Sequence, residues 1–307
     1  MDRDDFIIAV YLLVCEHYQN ITNSLPRPLR TAGFAPALSD EEVICMEICG
    51  EMFKLDTDKD LFSFFASHYR DWFPQLRHRT TFVRQGAALW WIKALIQKRI
   101  VQRHNAHLDP VQAIDTLPLP VCVYTRSTRD RCFVAEADYG YCAAKDEHYY
   151  GFKLGLRISR CGFITHYPLL PARPHDVKHL PTLVEEFQGI APADKGFLDP
   201  VGQQLLQQQG IHVVVEHRKN MKTPSPHASW LRRACAQWRK LIETIGSQLT
   251  GRFSIEAIRV HDLWHFHHRV IRKVLAHTVA IALNIQLKRP PLDLDGLVCV
   301  ESIQVAH

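Results

Sequence analysis

Asp115, Asp194 and Glu243 are the side chains of this sequence best suited to share one reaction. Asp115 interrupts a strand-like run, Ala-Ile-Asp-Thr-Leu-Pro-Leu-Pro-Val-Cys-Val. Asp194 heads Asp-Lys-Gly-Phe after a short apolar segment, and Glu243 lies in the basic helical stretch Arg-Lys-Leu-Ile-Glu-Thr-Ile. Two strand-borne aspartates and a helix-borne glutamate supply hard oxygen donors. Such a set can hold two divalent ions about 3.5–4 Å apart over a phosphodiester, one ion at the attacking oxygen and one at the leaving oxygen. Mg²⁺ suits the role because it keeps part of its water shell and needs few protein carboxylates; Mn²⁺ can substitute. Each acid also has an ordinary reading. A strand aspartate beside prolines can be a turn or cap residue, Asp-Lys-Gly can be a plain turn, and Glu243 can pair on the helix surface with Arg239 one turn earlier.

The elements that must position these acids follow from periodicity. Phe6, Ile7, Val10, Tyr11 and Val14 recur at helical spacing. Ser39-Asp-Glu-Glu42 is a capping box opening a helix through Val43, Ile44, Met46, Ile48 and Met52. Further helices are expected from Asp58 and from Thr80 to about Val101. Several short helices ending in a partly basic one suggest a helix-turn-helix-like module, with Arg77, Arg79, Arg84 and Gln85 at the start of a recognition helix; a purely structural helical cap reads equally well. From about residue 110 the pattern turns to strands. Phe152, Leu154, Leu156 and Ile158 alternate with Lys153, Gly155 and Arg157, a half-buried strand. Phe163–Leu170 should pair back on it as a hairpin. An amphipathic helix over Asp176–Phe187, a short strand into Asp194, a helix ended by Gly210 and a buried strand Ile211–Val215 come next. Thr223-Pro-Ser-Pro226 breaks the chain. A long helix with Leu231, Ala234, Cys235, Trp238, Ile242, Ile245 and Leu249 on one stripe then carries Glu243 at its edge. A last helix runs from about Trp264 to Leu287. The layout is that of a ribonuclease-H-like α/β (α+β) domain with a mixed five-stranded sheet, preceded by an all-helical N-terminal domain. The expected division is 1–105 helical and DNA-binding, 106–290 catalytic, and 291–307 a C-terminal tail.

Charge is unevenly spread. Residues 1–60 hold 12 acidic and 5 basic side chains, net −7, whereas residues 218–273 hold 12 basic and 3 acidic, net +9. A segment that basic, with Arg232, Arg233, Arg239 and Lys240, is an electrostatic footprint for a polyanion, though a solvated helix face would look the same. The nine cysteines are scattered with no Cys-x-x-Cys pair, which fits reduced thiols in a cytoplasmic protein. Cys45 and Cys49 read as core residues of an apolar helix. The acidic start argues against a signal peptide, and no apolar run reaches the roughly 18 residues of a membrane span. His261, His265, His267 and His268 cluster beside Asp262, and His261 and His265 have the i, i+4 spacing of zinc ligands. A helix face toward DNA or solvent is the plainer reading of these histidines.

Longer stretches make the resemblance specific. They include Leu38-Ser-Asp-Glu-Glu-Val-Ile, Leu55-Asp-Thr-Asp-Lys, Asp71-Trp-Phe-Pro, Thr81-Phe-Val-Arg-Gln, Leu117-Pro-Leu-Pro-Val-Cys, Glu136-Ala-Asp-Tyr-Gly-Tyr-Cys-Ala-Ala-Lys, Tyr149-Tyr-Gly-Phe-Lys, Asp194-Lys-Gly-Phe and Asp262-Leu-Trp-His. With these the chain resembles bacterial insertion-sequence transposases of the DDE type, closest to the insertion sequence 982 family, over nearly its whole length. The resemblance implies that Asp115, Asp194 and Glu243 are the catalytic, metal-binding triad with two Mg²⁺ ions. It also implies that the partners are double-stranded DNA, as terminal inverted repeats and target, and a second copy of the chain on that DNA. The place of action would be the bacterial cytoplasm, at the nucleoid, with no membrane. Arg239 fits the Arg-x-x-x-Glu spacing of related transposases. Their tyrosine three residues before the arginine and lysine seven after the glutamate are replaced here by Ala236 and Thr250, and the usual Asp-Gly-Phe-Pro becomes Asp115-Thr-Leu-Pro. Glu136 and Asp138 are candidate supports of the metal site or loop residues, and Tyr139, Tyr141 and Lys145 candidate DNA contacts. Three rivals remain: a decayed copy that binds DNA without cutting it, a non-transposing nuclease of the same fold, and a zinc-dependent binding module built on the C-terminal histidines.

Overall fold

The computed structural model describes residues 1–31, 33–143, 145–215 and 229–298, with the side chains of 229–235 outside the description. It divides into two compact units, neither continuous in sequence. One comprises Met1–Arg103, Gly251–Ser254 and the chain from Trp264 on; the other comprises His104–Thr250 and Ile255–Leu263. No helix among the described residues is long and apolar enough to cross a membrane.

The helical unit contains α1 (Arg3–Ser24), α2 (Asp40–Met52), α3 (Asp58–His68), α4 (Arg79–Ala88), α5 (Trp90–Arg103) and α9 (Leu263–Gln286), which enters the unit at Trp264. The capping box is present: the Glu42 amide donates to Ser39 Oγ at 3.1 Å and the Ser39 amide to Glu42 Oε2 at 2.6 Å. The single helix expected from Thr80 to Val101 is two, broken at Leu89. The compact units differ from the linear division at residues 105 and 290, because the chain from Trp264 on, which holds nearly all of α9, groups with the N-terminal helices. The reason is electrostatic. Glu47 and Glu51 on α2 are buried carboxylates, and most of their cations come from α9. Glu51 takes Arg272 Nε at 2.6 Å and Lys273 Nζ at 2.8 Å. Glu47 takes Lys93 Nζ of α5 at 2.5 Å and His268 Nε2 at 2.8 Å. Asp58 takes Arg269, and Arg272 at 2.8 Å.

The sheet unit is built on β1 (Ala113–Cys122), β2 (Asp138–Cys142), β3 (Glu147–Ile158), β6 (Gly189–Ala193) and β7 (Ile211–Val215), in the order β2-β3-β1-β6-β7. β1 and β2 run antiparallel to β3, while β6 and β7 run parallel to β1. That is a ribonuclease-H-like mixed sheet. Two short strands, β4 (Ile164–His166) and β5 (Leu169–Pro171), also pair with β3, so its outer edge is shared by three strands in succession. The remaining helices are α6 (Leu180–Leu183), α7 (Pro200–Gln208) and α8 (Ser229–Ser247). Ile114, Leu180, Leu183, Val184, Phe187, Ala191, Phe197, Ile211, Val213 and Val215 form one apolar core.

Three sequence expectations change here. The long helix over Asp176–Phe187 is a 3₁₀ turn (Asp176–His179) and the single turn α6, and the backbone reaches a left-handed φ of 54° at Glu186. Asp138, weighed as a loop residue, opens strand β2, while Glu136 lies in the turn before it. β3 is buried on both faces, not half-buried, because its polar side chains have internal partners. Lys153 bonds Asp176 and the Pro174 carbonyl, each at 2.8 Å. Arg157 bonds Gln112 at 3.1 Å and the carbonyls of Leu183 and Glu185 at 3.1 and 2.7 Å. Thr223–Pro226 lies outside the described residues.

Candidate active site

Asp115 and Asp194 stand at equivalent points of two neighbouring parallel strands. Ile114 pairs with Ala193, so the residue after each is an aspartate, one within β1 and one just past the end of β6. Parallel neighbours are about 4.8 Å apart in the hydrogen-bonding direction, close enough for the two carboxylates to feel each other. The register is set upstream. The Ile190 amide donates to the Pro110 carbonyl at 2.8 Å, and the Gln112 amide donates to the Ile190 carbonyl at 3.0 Å. Gly189 makes this approach possible: at φ +133° its place has no room for a side chain, and a Cβ would lie 2.2 Å from the Pro110 oxygen.

The third acid comes from α8, which packs against β1 and β6. An added Cβ at Gly246 of α8 would lie 3.5 Å from Leu117, two residues along β1 from Asp115 and on the same face of the strand. Glu243 lies about one turn before Gly246, with its side chain exposed and turned to Arg239: Nε donates to Oε1 at 3.0 Å. The same guanidinium lies 3.8 Å from Asp194 Oδ1. Arg239 therefore spans the second and third acids. Arg232 and Arg233 have side chains outside the described residues, and Lys240 is exposed on α8.

Sequence reading missed a fourth carboxylate, Asp176. Its Oδ1 accepts from Thr116 Oγ1 at 2.9 Å and from Lys153 Nζ at 2.8 Å. A Cβ at Gly196, two residues after Asp194, would lie 3.4 Å from its Oδ2. The only signal was Lys153, which broke the apolar texture of β3 and looked like a solvent-facing position. The field of these acids is visible at Asp115. Burial, then the charges of Asp194 and Asp176, push its carboxyl up to about 7, against the opposing pull of the Thr116 amide and Arg239. The Thr116 amide donates to Asp115 Oδ1 at 2.8 Å.

These residues fit a hard divalent cation in their chemistry: carboxylate oxygens only, with a carboxyl whose proton is retained for want of positive charge. Among the described residues, no three His, Cys, Asp or Glu side chains are close enough to share one ion. Glu243 would have to release Arg239 to join the two aspartates.

The other sequence candidates are dispersed. Arg77, just before α4, and Arg79 and Arg84, at its first and sixth positions, are exposed. Gln85 is buried, donating to the Leu38 carbonyl and to Asp40, so it is a structural residue of the helical unit. Glu136 is exposed, and Asp138 Oδ1 accepts from the Tyr139 amide. Tyr139, Tyr141 and Lys145 bond Ser127, Asp146 and Glu256. The histidine cluster does not converge. His261 meets Cys132, His267 packs against Trp90, and His268 is buried on Glu47.

Comparison with known proteins gives three results. No curated protein matches the chain. The cryo-EM structure of the piggyBac transposase synaptic complex with hairpin DNA aligns with 99% of this chain and 87% of its own, at 13% identity and a TM-score of 0.34, too low to equate the two folds. The family model for the transposase DDE domain matches residues 105–263, which include Asp115, Asp194 and Glu243. Domains of that family use divalent metal ions. With more than half of its length covered by this model, the chain belongs to the transposase DDE domain family.

Proposed function

We propose that this protein is a DNA transposase of the insertion sequence 982 type, which cuts the ends of its element and joins them to target DNA. The observation that carries the reading is the placement of Asp115 within β1 and of Asp194 just past the end of the adjacent parallel β6, both strands packing against the helix that bears Glu243. In this reading the three acids would hold two Mg²⁺ ions, with Mn²⁺ able to substitute; when bound, these supply Lewis acidity at the attacked phosphodiester. Asp115, the third residue of β1, would provide the rigid ligand. Glu243 would have to release Arg239 to serve as a metal ligand, and the freed guanidinium could then meet a DNA phosphate. Hydrolysis at the element's end leaves a 3′-hydroxyl, which attacks the target strand in the same site without a covalent protein–DNA intermediate.

Arg77, Arg79 and Arg84 would contact the terminal inverted repeats. The basic face of α8, with Arg232, Arg233 and Lys240, would hold the backbone with salt-sensitive affinity. Joining two ends calls for a dimer on DNA, in the bacterial cytoplasm where the nucleoid lies. The test is cleavage of a duplex carrying the element's end. Wild type is expected to cut and to join the cut end to a second duplex in Mg²⁺, and Asp194→Asn to lose at least about 10³-fold, the scale on which catalytic charge stabilisation acts. Equal cutting by both would defeat the assignment. Cutting without joining would favour a non-transposing nuclease, and DNA binding without cutting by wild type a decayed copy.

A further inference from the structure

The face of the sheet that carries Asp115 ends in a row of aromatic rings that the triad does not use. Asp115 pairs with Leu156 of β3, and every second residue of β3 from there, Leu154, Phe152, Tyr150 and His148, points to the same face. β2 continues that face outward, because Tyr139 pairs with Tyr150 and Tyr141 with His148. Tyr124, from the 3₁₀ segment Tyr124–Arg129 that follows β1, joins the two strands. Its ring centroid is 6.0 Å from that of Tyr139 and 6.0 Å from that of His148, and His148 is 5.0 Å from Tyr141. Buried Tyr150 backs the row, 5.0 Å from Tyr139. All of these residues belong to the sheet unit.

Contiguous exposed rings mark a surface that meets a partner. Tyr124, Tyr139 and Tyr141 remain 46, 43 and 48% exposed, and His148 is exposed as well. Two of the rings are fixed at their hydroxyls: Tyr139 donates to Ser127 Oγ at 3.2 Å and Tyr141 to Asp146 Oδ1 at 2.6 Å. Rings held in this way lose little freedom when a flat group stacks on them. Charge selects the partner. Arg126, Arg129 and Arg131 follow Tyr124 within seven residues, are exposed, and pair with no carboxylate among the described residues. Asp130 between them accepts the Cys132 amide, Asp138 the Tyr139 amide and Asp146 the Tyr141 hydroxyl; Glu136 and Glu147, the exposed acids, lie further along the chain. We propose that this face is a stacking platform for the unpaired bases of single-stranded DNA, with the three arginines on its phosphates. Every base has a π face, so such a row is tolerant of sequence, whereas a duplex keeps its base faces in its own stack. From Leu156, opposite Asp115, to His148 is about 25 Å along β3. The inference rests on the reading of the protein as acting on DNA, and it assigns to this face a strand opened near the cut.

The full-length protein, with divalent metal removed by EDTA, is titrated into a short single-stranded oligonucleotide carrying 2-aminopurine, whose fluorescence is quenched when the base stacks on a ring. An unlabelled duplex of the same sequence is measured alongside by anisotropy. Wild type is expected to bind the single strand and quench its label. Tyr124→Ala and Tyr141→Ala are each expected to weaken that binding by at least about fivefold, and Tyr141→Leu, which keeps apolar bulk without a ring, by as much. Tyr141→Phe, which keeps the ring, should stay within about twofold of wild type. Duplex affinity should be the same in all of them. Tyr124 and Tyr141 are exposed, so their replacement leaves the core intact, and circular dichroism checks this. Asp194→Asn should quench as wild type does, so a failure of cleavage and a failure of the platform are separate results. Binding by wild type without quenching, no binding at all, or a Tyr141→Ala variant that holds the single strand as tightly as Tyr141→Phe overturns the proposal.

Discussion

Asp115 is the residue at which the site's chemistry can be read without a substrate. Its folded carboxyl titrates near 7, while the unfolded one follows the ordinary value of 3.8. Between those two values the folded state keeps a proton that the unfolded chain has released. Stability of the metal-free protein should therefore fall as pH rises through this window and level off above about 7. Each tenfold change in proton affinity is worth about 1.4 kcal/mol; discounted for partial exposure to solvent, the cost at high pH is on the order of 2 kcal/mol. Asp115→Asn removes that charge. The variant should be more stable than wild type by about 1–2 kcal/mol at pH 8 and no more stable at pH 4. Urea titrations of the metal-free proteins at the two pH values check this. A variant less stable at pH 8 would mean that Asp115 does not sit in an unbalanced negative field.

At the level of elements, the site depends on how β6 is led in beside β1. Pro110, Gly189 and Ile190 fix the register three residues before the paired Ile114 and Ala193, and Gly189 is the point of closest approach. Gly189→Ala should cost about 1–3 kcal/mol through backbone strain. It should also reduce cleavage by more than the loss of folded protein explains, because a displaced β6 carries Asp194 with it. Denaturation midpoints and activity per folded molecule separate the two effects. This level is also where the sequence was most and least readable. Apolar runs before Asp115 and Asp194 marked Asp115 as a strand residue, which it is, and Asp194 as the end of a strand, which it follows by one residue. Lys153 and Arg157 misled, because charged residues alternating with apolar ones on one side of a strand look like a wet face until their partners are known. Those partners, Asp176, Gln112 and three carbonyls, come from elsewhere in the chain.

In the whole molecule, the largest departure from a linear reading is α9. Its apolar second half was evident, but its role was not, because the groups that fix it lie more than 200 residues away. Glu47 and Glu51 are held below the usual carboxylate range: burial alone would raise them, but Lys93 and His268 at the one and Arg272 and Lys273 at the other outweigh it. His268 is driven down to about 4 by burial and then by Lys93, so it is neutral near pH 7 and must donate its Nε2 proton to Glu47. Removing one partner from such a network leaves a buried charge unpaired. Arg272→Met should destabilise the helical unit by about 3–5 kcal/mol, readable as a lowered Tm, whereas Arg77→Met on the exposed surface should change it little. A small effect at Arg272 would show that Lys273 and Arg269 alone balance Glu51 and Asp58. The Cys132–His261 pair was invisible in sequence for the same reason as α9: nothing local announces a partner so far along the chain.

The return of α9 to the first helices has a consequence for how the protein is made. The amino group of Met1 donates to the carbonyl of Leu297 at 2.9 Å, and the acids of α2 draw most of their cations from beyond residue 267. While the ribosome is still synthesising the middle of the chain, α1 to α5 lack the helix that neutralises Glu51. Helices α1 to α5 are made before α9 and become fully stable only after it, and a chain that stops before residue 268 has the acids of α2 without most of their cations. Native assembly of the helical unit therefore waits until the chain through Lys273 has been made.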